Sequence, residues 1–270
     1  MLADLVAGGG VVVLSGAGLS TESGIPDYRG PTGLARGAQP MTYQVFTRDA
    51  DARRRYWARS HVGWRQIGAA TPNAGHRAVA GLQALGLLSG VVTQNVDGLH
   101  QAAGARDVVE LHGSLHRVVC LDCGARTPRE QLDERLTVAN AGWRAGPGAS
   151  KPDGDVELAE AEVERFVVAP CLVCGGVLKP DVVFFGETVP GDRVERCFAL
   201  IAGARGVLVL GSSLTVMSGH RFVLRAAKLG LPVAVVNDGP TRGDAHASIR
   251  LHDRLGEVLP ELLDRLGDDQ

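Results

Sequence analysis

The 270-residue sequence predicts an α/β protein built on a doubly wound, parallel sheet, and three observations carry that prediction. Short Val- and Leu-rich runs recur at residues 11–14, 91–93, 108–111, 207–210 and 233–236, as expected of strands buried on both faces. Helical patterns lie between them, for example at 73–88 and 219–228. A polar turn follows each run: Ser15-Gly16-Ala17-Gly18, Gln94-Asn95-Val96-Asp97, His112-Gly113, Gly211-Ser212-Ser213 and Asn237-Asp238-Gly239. Open α/β sheets bind ligands outside the carboxyl ends of their strands, so five such turns point to one shared site.

The chain is 45% hydrophobic, enough for a sizeable core, and carries a formal net charge of -2. No basic excess marks a nucleic-acid or anionic-membrane partner. Arg53-Arg54-Arg55 is the one charge run, and it reads as a solvated helix face. There is no stretch of about 18 apolar residues and no secretory signal. Gly8-Gly9-Gly10 and the first apolar run leave no room for a transit peptide. The expectation is a soluble, cytoplasmic monomer.

Two segments interrupt the alternation. Residues 31–72 are rich in Arg, Gly and aromatics and read as a helical insert. Residues 114–178 hold four of the five cysteines, and 141–154 reads as a mobile loop. Both segments are expected to form a smaller lobe, beside a Rossmann-like lobe of approximately 1–30, 73–113 and 179–270. Cys120/Cys123 and Cys171/Cys174 are two Cys-x-x-Cys pairs in turn-like contexts, 47 residues apart. Two such bites make a closed tetrahedral thiolate site, so a structural zinc in a zinc-ribbon module is expected. Cys197 falls on a helix face and reads as a buried, inert thiol.

Gly16-Ala17-Gly18-Leu19-Ser20 opens a helix after a strand, a context that brings backbone N–H groups to a pyrophosphate. Read alone it fits an ordinary tight turn equally, because Thr21 stands where a dinucleotide fingerprint has its third glycine. The continuation, Thr21-Glu22-Ser23-Gly24-Ile25-Pro26-Asp27-Tyr28-Arg29-Gly30, is richer in functional side chains than a plain connector. Here the chain resembles the sirtuin family, whose signature Gly-Ala-Gly-x-Ser…Gly-Ile-Pro-Asp-Phe-Arg it nearly repeats. Gln94-Asn95-Val96-Asp97, His112-Gly113, Lys179-Pro180-Asp181-Val182-Val183-Phe184-Phe185-Gly186-Glu187 and Gly211-Ser212-Ser213-Leu214 follow in the family's order. The likeness runs from about residue 12 to 260. Arg55-Tyr56-Trp57-Ala58-Arg59, Pro152-Asp153-Gly154-Asp155-Val156 and Gly239-Pro240-Thr241-Arg242 resemble the class II branch.

The resemblance implies an NAD-dependent protein-lysine deacylase acting on an acyl-lysine protein or peptide. In that reaction the acyl oxygen attacks the ribose carbon of NAD as nicotinamide leaves. A base then removes a ribose hydroxyl proton, and water finally releases lysine and O-acyl-ADP-ribose. His112 is the expected general base, since imidazole titrates near working pH and Gly113 allows close approach. By resemblance Asn95 holds ribose hydroxyls and a water, Asp97 accepts from the nicotinamide amide, and Gln94 donates to ribose or pyrophosphate. The same likeness assigns Gly16, Ala17, Gly18 and Ser20 to the cofactor, with Asp27 beside nicotinamide and Tyr28 where most sirtuins carry Phe. Arg29, Gly211, Ser212 and Ser213 are assigned to phosphates, Asn237 to the adenine-side ribose, and Leu255 to adenine through its backbone. His76, His100 and His116 are expected to be structural.

On the substrate side, residues 182–187 read as an apolar strand that would pair with an extended peptide by strand addition. Val183, Phe184 and Phe185 would then wall the acyl channel. Tyr56 and Arg59 lie one helical turn apart, and a similar pair binds the carboxylate of acidic acyl groups in some sirtuins. Acyl groups longer or more polar than acetyl are therefore expected. Three rival readings remain at this stage: an ADP-ribosyltransferase using the same NAD site, a dinucleotide-dependent oxidoreductase, and a non-enzymatic zinc-ribbon binding module.

Overall fold

A computed structural model describes residues 1–27, 40–145 and 158–268. Its strands are β1 (Val11–Ser15), β2 (Leu88–Thr93), β3 (Val109–Glu110), β4 (Gly113–Cys120), β5 (Arg126–Pro128), β6 (Leu178–Val182), β7 (Gly206–Leu210), β8 (Val233–Val236) and β9 (Ile249–Leu251). Six of them form one sheet in the order β3-β2-β1-β7-β8-β9, every neighbouring pair parallel. This is the doubly wound, Rossmann-like order, and its topological switch point lies between β1 and β7.

Alternation along the strands explains the unbroken apolar runs. Val11, Val13, Val91, Leu208 and Val236 face one side of the sheet, where helices Leu2–Ala7, Ala74–Ala84 and Leu255–Gly267 cover them. Val12, Leu14, Val92, Val209 and Val235 face the other, under helices Gly191–Ala202 and Met217–Lys228. Both faces are covered, so the strand centres are apolar and polar side chains such as Ser15 and Thr93 come in at the carboxyl ends. Cys197 sits fully buried in the second layer, and burial pushes its thiol up to about 12. Such a thiol is inert, as the sequence implied.

The remaining strands make a small antiparallel sheet in the order β5-β4-β6. Helices Ala50–Gly68 and Arg129–Ala139 close over it around Phe46, Trp57, Trp64, Leu136 and Phe166. Arg129 is buried between Trp57 and Trp64, its guanidinium 5.6 Å and 5.2 Å from the two ring centres, with Asp133 at 3.3 Å. A buried cation held by two aromatic faces and a carboxylate fixes how the two helices meet.

The structure departs from the sequence reading in four places. The helix expected over 73–88 runs only Ala74–Ala84, because Gly86, at φ +72°, turns the chain and β2 already begins at Leu88. Its start was legible: Asn73 accepts from the His76 amide and donates to the Leu19 carbonyl at 2.7 Å. The helix expected after the Gly-rich loop is instead two short 3₁₀ turns, Ala17–Leu19 and Thr21–Ser23. Thr21 Oγ1 donates back to the Gly18 carbonyl, and Gly24, at φ +82°, ends the second turn. The edge strand β9 was not anticipated, being three residues long and only half-buried.

The fourth departure is the apolar strand read over 182–187. β6 ends at Val182, because the Glu187 carboxylate accepts from the Phe184 amide at 2.8 Å and from Lys179 Nζ at 3.1 Å, folding the chain into a turn. Phe185 keeps a single bridge, to Thr42. The loop read at 141–154 lies largely outside the described residues, as does the 31–39 part of the helical insert.

Gly113 sets the junction between the two sheets. It has φ +83°, and a Cβ there would stand 2.0 Å from the Asp181 carbonyl oxygen. The approach lets the His112 carbonyl accept from the Val183 amide at 2.8 Å. A Gly113→Ala chain should lose at least about 2 kcal/mol of stability from clash and backbone strain combined. Thermal unfolding checks this, and a melting temperature equal to the parent's would refute the packing argument.

Candidate active site

A cavity of about 660 Å³ opens at the carboxyl ends of the parallel strands. Gly16, Ala17, Gly18 and Ser20 enter it after β1, Gln94, Asn95 and Asp97 after β2, and His112 after β3. Gly211, Ser212 and Ser213 enter after β7, and Asn237 after β8. The five turns read from the sequence therefore converge, at the switch point where such sheets bind ligands. Glycine is needed here for space: a Cβ on Gly16 would meet Ser212 Cβ at 2.7 Å, and one on Gly18 would meet Gly211 Cα at 2.9 Å. A smooth cradle of backbone between the β1 and β7 turns fits a pyrophosphate.

Beneath the cradle lies a buried polar network. Ser20 Oγ donates to Asp97 Oδ2 at 2.7 Å, and Asp97 Oδ1 accepts from the Leu99 amide at 2.9 Å. Asn95 Nδ2 donates to the Gly16 carbonyl and to Ser20 Oγ, both at 3.0 Å. A carbonyl only accepts, so the Asn95 amide is oriented with its nitrogen to the scaffold. Gln94 Nε2 donates to Ser212 Oγ at 2.8 Å and to the Ser15 carbonyl at 3.2 Å, tying the β2 turn to the switch point.

The three histidines expected to be structural brace this network. His116 Nε2 donates to the Asp97 carbonyl at 2.9 Å. Ser15 Oγ donates to Thr93 at 2.9 Å, which leaves its oxygen to accept from His100 Nε2 at 2.8 Å. Burial pushes His100 down to about 3, with neighbouring His76 adding to the shift. It also pushes His76 down to about 4, against the pull of Asp97. Both rings are neutral at neutral pH.

His112 is held at both ring nitrogens. Nδ1 lies 2.9 Å from the Gln94 carbonyl, which can only accept, so Nδ1 carries the proton of the neutral ring. Nε2 lies 2.9 Å from Ser218 Oγ. Burial holds its pKa below the ordinary imidazole value and Arg193 works the same way, against the Gln94 carbonyl. A neutral imidazole with its Nε2 lone pair on the cavity side is an available general base. The sequence reading missed Ser218, which lines the cavity from the first turn of helix Met217–Lys228. Lying four residues beyond the Gly211-Ser212-Ser213-Leu214 motif, it carries no signal of its own.

The other end of the cavity is apolar. Tyr56, Phe46 and Phe184 form a mutually tilted trio with ring centres 5.2–5.4 Å apart. Lys179 Nζ sits 4.8 Å over the Phe184 ring and donates to the Val182 carbonyl and to Glu187, fixing that wall. Val183, Phe184, Phe185 and Tyr56 line the cavity, as does Asp27 at its other side.

Two assigned residues are not among those lining the cavity. Leu255 is buried in the core as the first residue of helix Leu255–Gly267 and does not line the cavity. Its apolar side chain is used for packing against the sheet. Arg59 sits one turn along helix Ala50–Gly68 from Tyr56 and is likewise not among the lining residues. Tyr28 and Arg29 lie outside the described residues.

The four cysteines meet as the spacing implied. Cys120 ends β4 and Cys174 precedes β6, and the antiparallel pairing of these strands brings both Cys-x-x-Cys turns together. All four sulfurs lie within 4.8 Å of one another, with Cys120–Cys174 at 3.5 Å and Cys123–Cys171 at 3.8 Å. Tetrahedral Zn–S bonds of about 2.3 Å require S···S near 3.8 Å, so the donor set fits zinc with no position left open.

Two outcomes follow. Below the ordinary imidazole value of 6.5 the unfolded chain takes up protons that folded His76 and His100 refuse until about 4 and about 3. Stability therefore falls with pH through that window, by at most about 1.4 kcal/mol per pH unit for each ring. Thermal melts from pH 7 to pH 4 should show this, with a shallower slope for His100→Gln; an equal slope would mean His100 is not held neutral. Elemental analysis of the purified protein should give one zinc per chain, lost in Cys174→Ser together with a lower melting temperature. Metal-free protein of full stability would refute the zinc site.

The geometry agrees with what the chain is similar to. The Sir2 family model matches residues 16–218. "NAD-dependent protein deacetylase 1" of Streptomyces coelicolor is 61% identical over 98% of this chain and 89% of its own length. The mitochondrial "NAD-dependent protein lipoamidase sirtuin-4" of Bos taurus is 51% identical, over 93% of this chain and 80% of its own. A Sir2 structure with a p53 peptide and NAD+ superposes with a TM-score of 0.77 at 28% identity, covering 99% of this chain and 98% of that one. By family model, by relatives and by fold, this chain belongs to the Sir2 family, the sirtuins.

Proposed function

We propose that this protein is an NAD-dependent protein-lysine deacylase, releasing nicotinamide, O-acyl-ADP-ribose and free lysine. One observation carries the reading: His112, neutral with its Nε2 lone pair, shares a single cavity with Asn95 and Asp97 at the switch point. Bound in that cavity, NAD supplies an electrophilic ribose carbon and nicotinamide as its leaving group.

The residues divide the work by position. The Gly16–Gly18 turn and Ser212–Ser213 hold the pyrophosphate, Asn237 the adenine-side ribose, and Gln94 and Asn95 the nicotinamide-side ribose. Asp97 and Asp27 receive the nicotinamide amide. Loss of nicotinamide to an acyl oxygen releases no proton, so it needs no base. His112 Nε2 acts next, taking the proton of a ribose hydroxyl so that its oxygen can attack the acyl carbon. The zinc holds the small sheet together and takes no part in bond making.

The peptide is read as lying along residues 183–186, with its acyl-lysine entering the cavity against the wall that Tyr56 and Phe184 form together. That wall is apolar, which favours longer apolar acyl groups over acidic ones, and the lipoamidase name of the bovine relative supports the same direction. The carboxylate-binding alternative through Tyr56 and Arg59 has less support, since Arg59 stays off the cavity wall. Membership of the class II branch belongs to this reading, although residues 152–156 lie outside the described part. So do the division into two lobes at 30/31, 72/73, 113/114 and 178/179, and a cytoplasmic, monomeric protein. Among the described residues no helix is long and apolar enough to cross a membrane.

Mass spectrometry of NAD and of acetyl-, succinyl- and lipoyl-lysine peptides tests the reading. Nicotinamide and O-acyl-ADP-ribose should appear in equal amounts, fastest with the lipoyl peptide, and turnover should fall at least about 100-fold in His112→Gln. Arg59→Ala should leave the acyl preference unchanged; a selective loss of succinyl turnover would restore the carboxylate-binding alternative. Nicotinamide release with ADP-ribose retained on protein would make the chain a transferase instead. Intact NAD with every peptide would sink the enzyme reading.

A further inference from the structure

The base in this site does not stand alone. Of the two groups bonded to His112, one is a backbone carbonyl that any residue at position 94 would supply. The other is the Ser218 hydroxyl, 2.9 Å from Nε2, delivered by the first turn of a helix on the far side of the switch point. Its surroundings are tight: a Cβ on the next residue, Gly219, would stand 2.4 Å from Gln94 Oε1, so helix Met217–Lys228 abuts the turn that also holds His112 Nδ1. The serine and the carbonyl therefore grip the imidazole from two elements, one at each nitrogen.

The two grips differ in chemistry. The Gln94 carbonyl can only accept, whichever charge the ring has. A hydroxyl can do either. Toward the neutral ring, whose Nε2 is an acceptor, Ser218 Oγ–H donates. Toward the imidazolium, whose Nε2 carries a proton, the same oxygen accepts after a rotation about one bond. Without it, a buried imidazolium would leave one of its two N–H groups without a protein partner.

We propose that Ser218 is a positioning residue for the proton transfer, holding the orientation of the His112 ring and accepting from Nε2–H once the ring is charged. The inference rests on the reading of His112 as general base. In the step the Ser218 hydroxyl first yields the Nε2 lone pair to the ribose hydroxyl; the ribose O–H bond then breaks, the Nε2–H bond forms, and the oxygen's electron pair goes to the acyl carbon, whose π pair moves onto the lysine nitrogen. Ser218 gains and loses no proton of its own; its hydroxyl turns from donor to acceptor. A charge-assisted hydrogen bond is about twice as strong as a neutral one, so the contact favours the state after transfer over the state before. Nicotinamide release comes earlier and should not depend on the serine.

The test compares Ser218→Ala, Ser218→Thr and His112→Gln in the full chain. Two rates are measured with the acyl-peptide that the wild type uses fastest: deacylated peptide formed, and labelled nicotinamide exchanged into NAD. For Ser218→Ala, kcat for deacylation should fall on the order of 10- to 100-fold. Exchange and KM for NAD should stay within about threefold, the range of ordinary context effects, and Ser218→Thr, which keeps the hydroxyl, should recover most of the lost kcat. Deacylation by Ser218→Ala at the wild-type rate overturns the inference. So does a parallel loss of exchange and deacylation, which marks a general disturbance of the pocket, and so does a threonine variant no better than alanine. His112→Gln separates the two levels: if it deacylates normally, the base assignment itself fails. If it is silent while Ser218→Ala is normal, only the role of Ser218 fails.

Discussion

The whole site depends on how closely two turns of the parallel sheet can approach. The Gly18 amide donates to the Gly211 carbonyl at 2.8 Å, and the Gly16 amide donates to the Leu210 carbonyl at 2.9 Å. No side chain fits between those backbones. Their contact closes the crest of the sheet between β1 and β7, and everything functional is referenced to it. Gln94 reaches Ser212 across it, Asn95 hangs from Gly16, and Asp97 is held through Ser20. A larger residue at Gly16 or Gly18 would damage binding by parting the sheet's two halves, before any ligand contact was lost.

A second close approach, at Gly113, joins the sheets to each other. The chain leaves β3, presents His112 to the cavity, and enters β4 within one residue. The same glycine lets β4 lie against β6, which leads directly into the apolar wall at 183–185. His112 and the apolar wall are thus set by one junction, and their spacing is not free to drift with loop motion. The neutral, buried histidines below add rigidity of another kind. Burial keeps both rings uncharged, so Asp97 stands at the centre of that network with no imidazolium beside it.

Much of this was legible in the sequence, for reasons that differ by residue. Strands buried on both faces must be apolar at their centres, so β1, β2, β7 and β8 announced themselves as Val- and Leu-rich runs. Cysteines forced by metal geometry admit few substitutes, which is why the four sulfurs could be named from spacing, whereas Gly16 and Gly18 fitted an ordinary turn until the family resemblance assigned them. Ser218 was not legible, since a serine in the first turn of a helix is ordinary and its meaning comes from a histidine 106 residues away. At Leu255 the side chain is drawn into the core as that of a leucine opening an amphipathic helix, and it carries no signal for the backbone contact that the resemblance assigns there. The turn at 183–187 was misread because its cause, Glu187 reaching back to Phe184 and Lys179, is a side-chain bond that an apolar run conceals.

The four cysteines lie outside the cavity, yet they bear on the shape of its apolar wall. Cys120 closes β4, and Cys174 stands four residues before β6 begins at Leu178. Binding both pairs to one ion pins the start of β6 against the end of β4, with Cys120 opposite Leu178. β6 is only five residues long, and its far end holds Phe184 against Tyr56 and Phe46. A strand that short cannot absorb a shift at one end without passing it to the other, so the closed thiolate site is a fixed anchor for the apolar wall. Zinc in this fold would therefore set the shape of that apolar wall through register alone.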